Sequence, residues 1–302
     1  MNHEEECSQL RQVLDKEEMF ALAAGIKDNY PYSIEMYNTL LLTARGLNTC
    51  SKYEIYVPRN YQDSHIIIWR SLIEWKNMSI YCREEEVPLL ITVMKGSHFL
   101  DIVKELPVDI FFISSYQVDA VLETLQETIG IRPQKYQCLC YAYETRQENP
   151  LRCPAGMKVQ KLGRAGIQRM LEVNKYWKNA SLDLFCSLGE NLPMVGIYLD
   201  PDVVEEKVID LNDISSAEDE ATPIAQVGTT PHGTVGLVWT DAKYRQCGLG
   251  RLLVEVMGRL QMSEGYFPHG LVIYYNDASA QMFKKLPGWR KTHCANMIVS
   301  AQ

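Results

Sequence analysis

Val238-Trp239-Thr240-Asp241-Ala242-Lys243-Tyr244-Arg245-Gln246-Cys247-Gly248-Leu249-Gly250-Arg251-Leu252-Leu253 is the stretch on which the reading of this chain turns. It predicts a strand ending near Thr240, a short loop, and a helix that starts at the Gly-x-Gly. Gly248 and Gly250 carry no Cβ, so backbone N–H groups there can close on a bulky anion. A helix N-terminus adds free donors and the positive end of the helix dipole. Lys243, Arg245 and Arg251 put positive charge around the same point. Together these features make a cradle for a pyrophosphate. A lone Gly-x-Gly also fits a plain helix-start turn, so the reading needs a second element.

That element follows. Val272-Ile273-Tyr274-Tyr275-Asn276-Asp277-Ala278-Ser279 reads as a strand running into another helix, which ends in Met282-Phe283-Lys284-Lys285-Leu286-Pro287-Gly288-Trp289. The two segments, in this order and at this spacing, resemble the GNAT superfamily of N-acyltransferases. Arg245, Gly248 and Gly250 match its Arg/Gln-x-x-Gly-x-Gly/Ala cofactor signature. Asn276, Ser279, Lys285, Leu286, Gly288 and Trp289 match its downstream Asn-x-x-Ala/Ser…Lys-Leu-Gly-aromatic run, with Pro287 as one extra residue. The motif-bearing resemblance spans about residues 223–299. Trp177, the Leu182–Leu188 region and a two-half layout resemble the glycine N-acyltransferase-like branch.

The resemblance implies a site for acetyl-CoA or a longer acyl-CoA, with no metal. Pantetheine is expected along the backbone of Val238, Trp239 and Thr240. Pyrophosphate is expected on the amides of Gln246, Cys247, Gly248, Leu249, Gly250 and Arg251, with Arg245 also among the cofactor-binding residues. Asn276 and Ser279 are expected beside the pantetheine arm; Asn276 also fits an ordinary helix N-cap. The implied reaction moves an acetyl or acyl group from the thioester to a small-molecule amine by direct attack, with the oxyanion on N–H groups near Val238 and Trp239.

The sequence departs from that family where protons move. Many members carry a Tyr acid seven residues after the motif Asn; here the position is Phe283. Many carry a Glu base on the strand before the Gly loop, and Thr234–Thr240 contains no carboxylate. His232 is then the candidate base and Tyr275 the candidate acid, with Tyr274 and His293 as substitutes. The alternative function is a module that senses or sequesters acyl-CoA without turnover.

The rest of the chain is consistent with a protein of this class. It has 302 residues, 46% hydrophobic and 23% charged, enough for two domains. The polar segment Glu144–Pro150 reads as a linker, which predicts an N-terminal α/β domain over 1–150, a degenerate GNAT-like half. An acyl-CoA-binding GNAT domain is predicted over 151–302. The expected fold class is α/β with an α+β mixed sheet. Residues 8–25 carry helical spacing, Val87–Val103 reads as one helix, and the acidic run Asp202–Glu220 reads as a mobile excursion. A net charge of −8 and the absence of a basic stripe argue against nucleic acid. No apolar run reaches the about 20 residues of a membrane helix. Nine scattered cysteines and an acidic N-terminus predict a cytoplasmic location, and a monomer or weak dimer is expected.

Overall fold

The computed structural model describes residues 9–48, 52–59, 64–72, 77–104, 109–131, 133–145, 148–174 and 180–299. Trp177 and part of the predicted linker, Arg146 and Gln147, lie outside the described residues. The first half runs β1 (Leu10–Val13), α1 (Lys16–Ile26), α2 (Ile34–Ala44), β2 (Tyr53–Pro58), β3 (Ile67–Ser71), β4 (Asn77–Tyr81), α3 (Val87–Lys95), α4 (Ser97–Lys104), β5 (Asp109–Ser114), α5 (Ser115–Ile129) and β6 (Gln134–Tyr143). The second runs β7 (Arg152–Cys153), β8 (Met157–Lys161), α6 (Arg164–Val173), α7 (Leu182–Asn191), β9 (Met194–Leu199), β10 (Lys207–Val208), β11 (Ala225–Thr229), β12 (Val235–Thr240), α8 (Leu249–Ser263), β13 (His269–Ile273), α9 (Asp277–Lys284) and β14 (Trp289–Val299).

Apart from the short β7 and β10, and with α3 and α4 standing where the second half has the single α8, the two halves repeat one order: a strand, two helices, three strands, then helix, strand, helix, strand. They do not stand apart. The large sheet runs β1-β2-β3-β4-β5-β14-β6-β13, and a second sheet runs β12-β11-β9-β8. β6, the last strand of the first half, lies between β13 and β14 of the second. β14 in turn lies between β5 and β6 of the first. Each half therefore completes its sheet with the other's final strand.

The helices divide between the faces. One apolar cluster joins Met19 and Leu40 of α1 and α2 to Ile167 and Phe185 of α6 and α7, and reaches Trp69 of β3 and Leu237 of β12. A second places Leu253 and Val256 of α8 and Phe283 of α9 against Tyr141, Val227 and Val272. Hence β13 shows Gly270 and Val272 to α8 and α9, and His269 and Leu271 to the opposite face, where α2 lies.

Two expectations are corrected. Residues 8–25 are not one helix: Leu10–Val13 is an edge strand on β2, and α1 starts after Asp15, whose carboxylate accepts from the N–H of Glu17 and Glu18. The helix over 87–103 is broken at Gly96 into α3 and α4. The acidic run 202–220, read as a mobile excursion, makes contacts with the body. β10 pairs with β7, Lys161 bridges Ser216, and Ile209, Leu211 and Ile214 reach the second-half core. Its acidic residues face water while these apolar ones anchor it.

Candidate functional site

The site grows from a defect in β12. Pairing with β11 passes from Gln226↔Trp239 to Gly228↔Gly236, so Leu237 and Val238 together oppose Val227. This bulge holds Leu237 at φ 58°, a left-handed conformation unusual for a bulky side chain. Bulges re-aim the backbone at sites where a strand stops pairing, and β12 does stop: β13, which follows it through α8, belongs to the other sheet. The two strands approach at Val235 and Gly270, where a Cβ on Gly270 would lie 3.2 Å from the Val235 carbonyl oxygen. Each then pairs on its other side, β12 with β11 and β13 with β6.

The Gly loop sits where β12 ends. Asp241 caps the short turn after β12 by accepting from the Lys243 N–H. Gln246 (φ 63°) and Gly248 (φ 84°) are both left-handed, and Gly248 is the N-cap of α8. The first α8 bond is Leu252 N–H to Gly248 O. The N–H groups of Gly248 to Arg251 therefore have no acceptor within the helix. Gly250 faces β12: a Cβ there would stand 3.5 Å from Thr240 Oγ1 and 3.7 Å from Val238 Cγ1, narrowing the space between helix and strand. Lys243, Arg245 and Arg251 are exposed around the loop. Arg245 also ties the loop down through Nε, which donates to the Thr240 carbonyl at 3.1 Å. The Gly-x-Gly starts a helix after a strand and a short loop, as the sequence predicts.

The first half differs at the matching place. β4 and β5 pair only through Asn77↔Asp109 and Met78↔Ile110. Past that point, α5 sends two side chains onto the free edge of β4. Gln117 Nε2 donates to Ile80 O at 2.9 Å, and Tyr116 Oη to Cys82 O at 2.5 Å. The corresponding second and third positions of α9 are Ala278 and Ser279, too short to do the same. The loop before α3 carries Glu84, Glu85 and Glu86, so it repels anions. The second half thus carries the Gly loop, and its α9 begins with short side chains where α5 carries Tyr116 and Gln117.

Residues 217–297 match the family described as FR47-like protein, about a quarter of the chain. The structure is similar to that of a Drosophila protein over 97% of this chain and 98% of that one, with TM-score 0.74 and 14% identity. It is similar to a GCN5-related N-acetyltransferase from Sphaerobacter thermophilus over 97% and 95%, with TM-score 0.54 and 13% identity. No curated protein matches the sequence. The chain has the GNAT fold.

Within the GNAT fold, the predicted proton-transfer residues fall unevenly. Phe283 is buried, stacked on Tyr141 with ring centroids 5.0 Å apart, and edge-on to Trp289. Tyr275 is 53% exposed on the turn after β13, against Tyr274. Asn276 caps α9, its side-chain oxygen accepting from the Ser279 N–H at 3.2 Å. His232 is corrected: it is buried at the β11–β12 turn, its ring stacked on Trp69 at 5.1 Å with Phe112 edge-on, and its Nδ1 3.0 Å from Tyr53 Oη. Burial pushes its pKa down to about 3, but three aromatic rings shut it off from a substrate.

The sequence reading missed His269. It lies fully buried on β13, its Nδ1 near Asn38 of α2 and the Phe267 carbonyl. Nothing in Pro268-His269-Gly270 distinguishes it from any strand-start histidine. Among the described residues, no cluster of His, Cys, Asp or Glu is placed to hold a metal, and no helix is long and apolar enough to cross a membrane.

Proposed function

We propose that this protein is an acyl-CoA-dependent N-acyltransferase with one working site, in the second half. The observation that carries the reading is the contrast between the two halves. In the first half Tyr116 and Gln117 bond the carbonyls of Cys82 and Ile80; in the second, α9 starts with the short Ala278 and Ser279, and the Gly loop presents amides with no acceptor within the helix beside three exposed cations. An acyl-CoA fits the second. Arg245 to Arg251 hold the pyrophosphate. Val238, Trp239 and Thr240 offer the free edge of β12 to the pantetheine amides, and the Leu237–Val238 bulge turns N–H groups toward the thioester carbonyl. Asn276 and Ser279 border the arm. Residues 1–150 act as the domain that closes the acceptor side.

The test is calorimetry with acetyl-CoA, longer acyl-CoAs and free CoA, followed by thiol release against a panel of amines. Thiol release that depends on an added amine supports the transferase. Tight acyl-CoA binding with no release from any amine supports instead a module that senses or sequesters acyl-CoA. The replacement of the family's acid by a buried Phe283 favours that second reading.

A further inference from the structure

A cavity of about 460 Å³ opens between α1 and the ends of β2 and β3, in the first half of the chain. That volume lies within the range of about 300–1,000 Å³ usual for small-molecule sites. Its floor is apolar: Leu22 and Ile26 of α1 with Val57, Pro58 and Ile67. All of these but Leu22 are buried. Along the rim, α1 carries the small Ala21 and Gly25, and a Cβ on Gly25 would meet nothing within 4 Å. Two guanidinium groups, Arg11 of β1 and Arg59 at the end of β2, also line it.

The second half fills the matching place with its own side chains. β1 and β2 pair Arg11 with Val57; at the same step of the repeat, β8 and β9 pair Lys158 with Tyr198. Tyr198 is buried under α6, where a Cβ on Gly166 would lie 3.1 Å from its hydroxyl oxygen. The next residue, Asp200, gives its backbone N–H to Gly156, as Arg59 gives its own to Gln9. Asp200 also neutralises Lys158, Oδ2 lying 3.3 Å from Nζ. In the first half the bulk and the charge are both changed. Val57 is smaller than Tyr198, and Arg59 is a cation where Asp200 is an anion. The repeat thus leaves an apolar hollow beside a positive charge at the one place where its other copy holds a ring and an ion pair.

We propose that this cavity binds a small carboxylic acid with a branched or aromatic body, and it does so whether or not the second half transfers acyl groups. The charges around it set the class of ligand. Arg11 is bonded to the Glu18 carboxylate of α1, and His65 lies 3.6 Å from Glu86. Arg59 is exposed and has no carboxylate partner among the described residues. One positive charge is therefore left over at the cavity. A carboxylate pairs with a guanidinium through two parallel hydrogen bonds and cancels that one charge. A phosphate monoester would bring close to two charges. The body of the acid packs on Leu22, Val57 and Ile67, out of water.

The experiment is calorimetry with 4-methylpentanoate, phenylacetate, phenylacetamide and phenyl phosphate. It is run on wild type, Arg59→Ala, Val57→Tyr and Gly25→Leu, with a melt of each to verify folding. Expected are one bound molecule of either carboxylate per chain and binding of phenylacetamide weaker by roughly tenfold or more, the worth of a hydrogen-bonded charge. Arg59→Ala should lose the same factor for phenylacetate and nothing for phenylacetamide. Val57→Tyr installs the residue that the second half uses and should abolish binding by filling the floor. Gly25→Leu should do so from the rim. It replaces a glycine within α1 by a good helix former, so it tests the cavity even where Val57→Tyr fails to fold. No binding of either carboxylate, phenylacetamide as tight as phenylacetate, phenyl phosphate tighter than both acids, or wild-type affinity in Arg59→Ala or in folded Gly25→Leu would each overturn the assignment.

Discussion

The ring of Phe283 lies within 15° of parallel to that of Tyr141, with its tip over Gly270, where a Cβ would come within 2.7 Å of Phe283 Cζ. The two rings come from different halves of the chain. Tyr141 is buried, and its hydroxyl has no partner. Tyr141→Phe should therefore raise stability by about 1 kcal/mol, the cost of one unsatisfied buried hydroxyl. Phe283→Tyr should do the reverse, because its new hydroxyl would press on the Gly270 backbone. Urea melts of the two variants check both signs, and a stabilised Phe283→Tyr would show that the ring tip has space.

The Gly loop separates folding from binding. At Gly250 an added Cβ meets only ordinary contacts, so Gly250→Ala should melt like wild type. Gly250→Glu should also fold, yet put a carboxylate at the cradle and abolish CoA binding. Gly248 differs: at φ 84° any side chain strains the backbone, and Gly248→Ala should lose about 1–2 kcal/mol of stability. Calorimetry with CoA on melts-verified variants decides. Full CoA affinity in Gly250→Glu would remove the cradle from the site.

Acid should unfold the protein well before its carboxylates titrate. In the unfolded chain an imidazole binds its proton near 6.5, whereas the fold holds His232 to about 3 and His269 and His293 to about 4. Between those values the unfolded state binds more protons, so each such group costs up to about 1.4 kcal/mol per pH unit as pH falls. The stability these histidines contribute is intact above pH 6.5 and drains away toward pH 4. Glu35 acts at the other end: its pKa is raised by burial, so its contribution is present in acid and lost as pH rises. Melting temperatures from pH 8 to 4 should fall on the acid side, and less steeply in His232→Gln. A flat profile over pH 6.5–4 would mean the histidines are open to water.

Gly163 should be the position on which the acidic excursion depends. A Cβ there would lie 2.6 Å from the backbone oxygen of Glu218 and 3.1 Å from that of Ala217. Gly163→Ala should push residues 202–220 off the body and open them to trypsin at Lys207, while wild type resists cleavage there. Equal cleavage of both proteins would mean the segment is not held at this point.

What the sequence disclosed was local. The helix start at Gly248 and the strand-to-helix turn at Asn276 were readable because each is set by a few neighbouring residues. The repeated element order was readable for the same reason. The exchange of β6 and β14 was not, because Tyr141 meets Gly270 across more than a hundred residues and its strand pattern says nothing of partners. His232 was misjudged since its distance in sequence from β12 is short, while its neighbours Trp69 and Tyr53 come from the other half. His269 is buried beside Asn38, which only folding brings near. The acidic run reads as an excursion because its charges outnumber the apolar anchors Ile209, Leu211 and Ile214.

The crossed final strands bind the halves like clasped hands. Neither half can melt without pulling an interior strand out of its neighbour, so heat or urea should meet one cooperative barrier, and fragments cut near residue 150 should fold only when mixed. A ligand gripped at the β12–β13 gap then steadies the whole clasp. Amides in β2 and β3, in the half that has no cradle, should exchange more slowly once CoA is added.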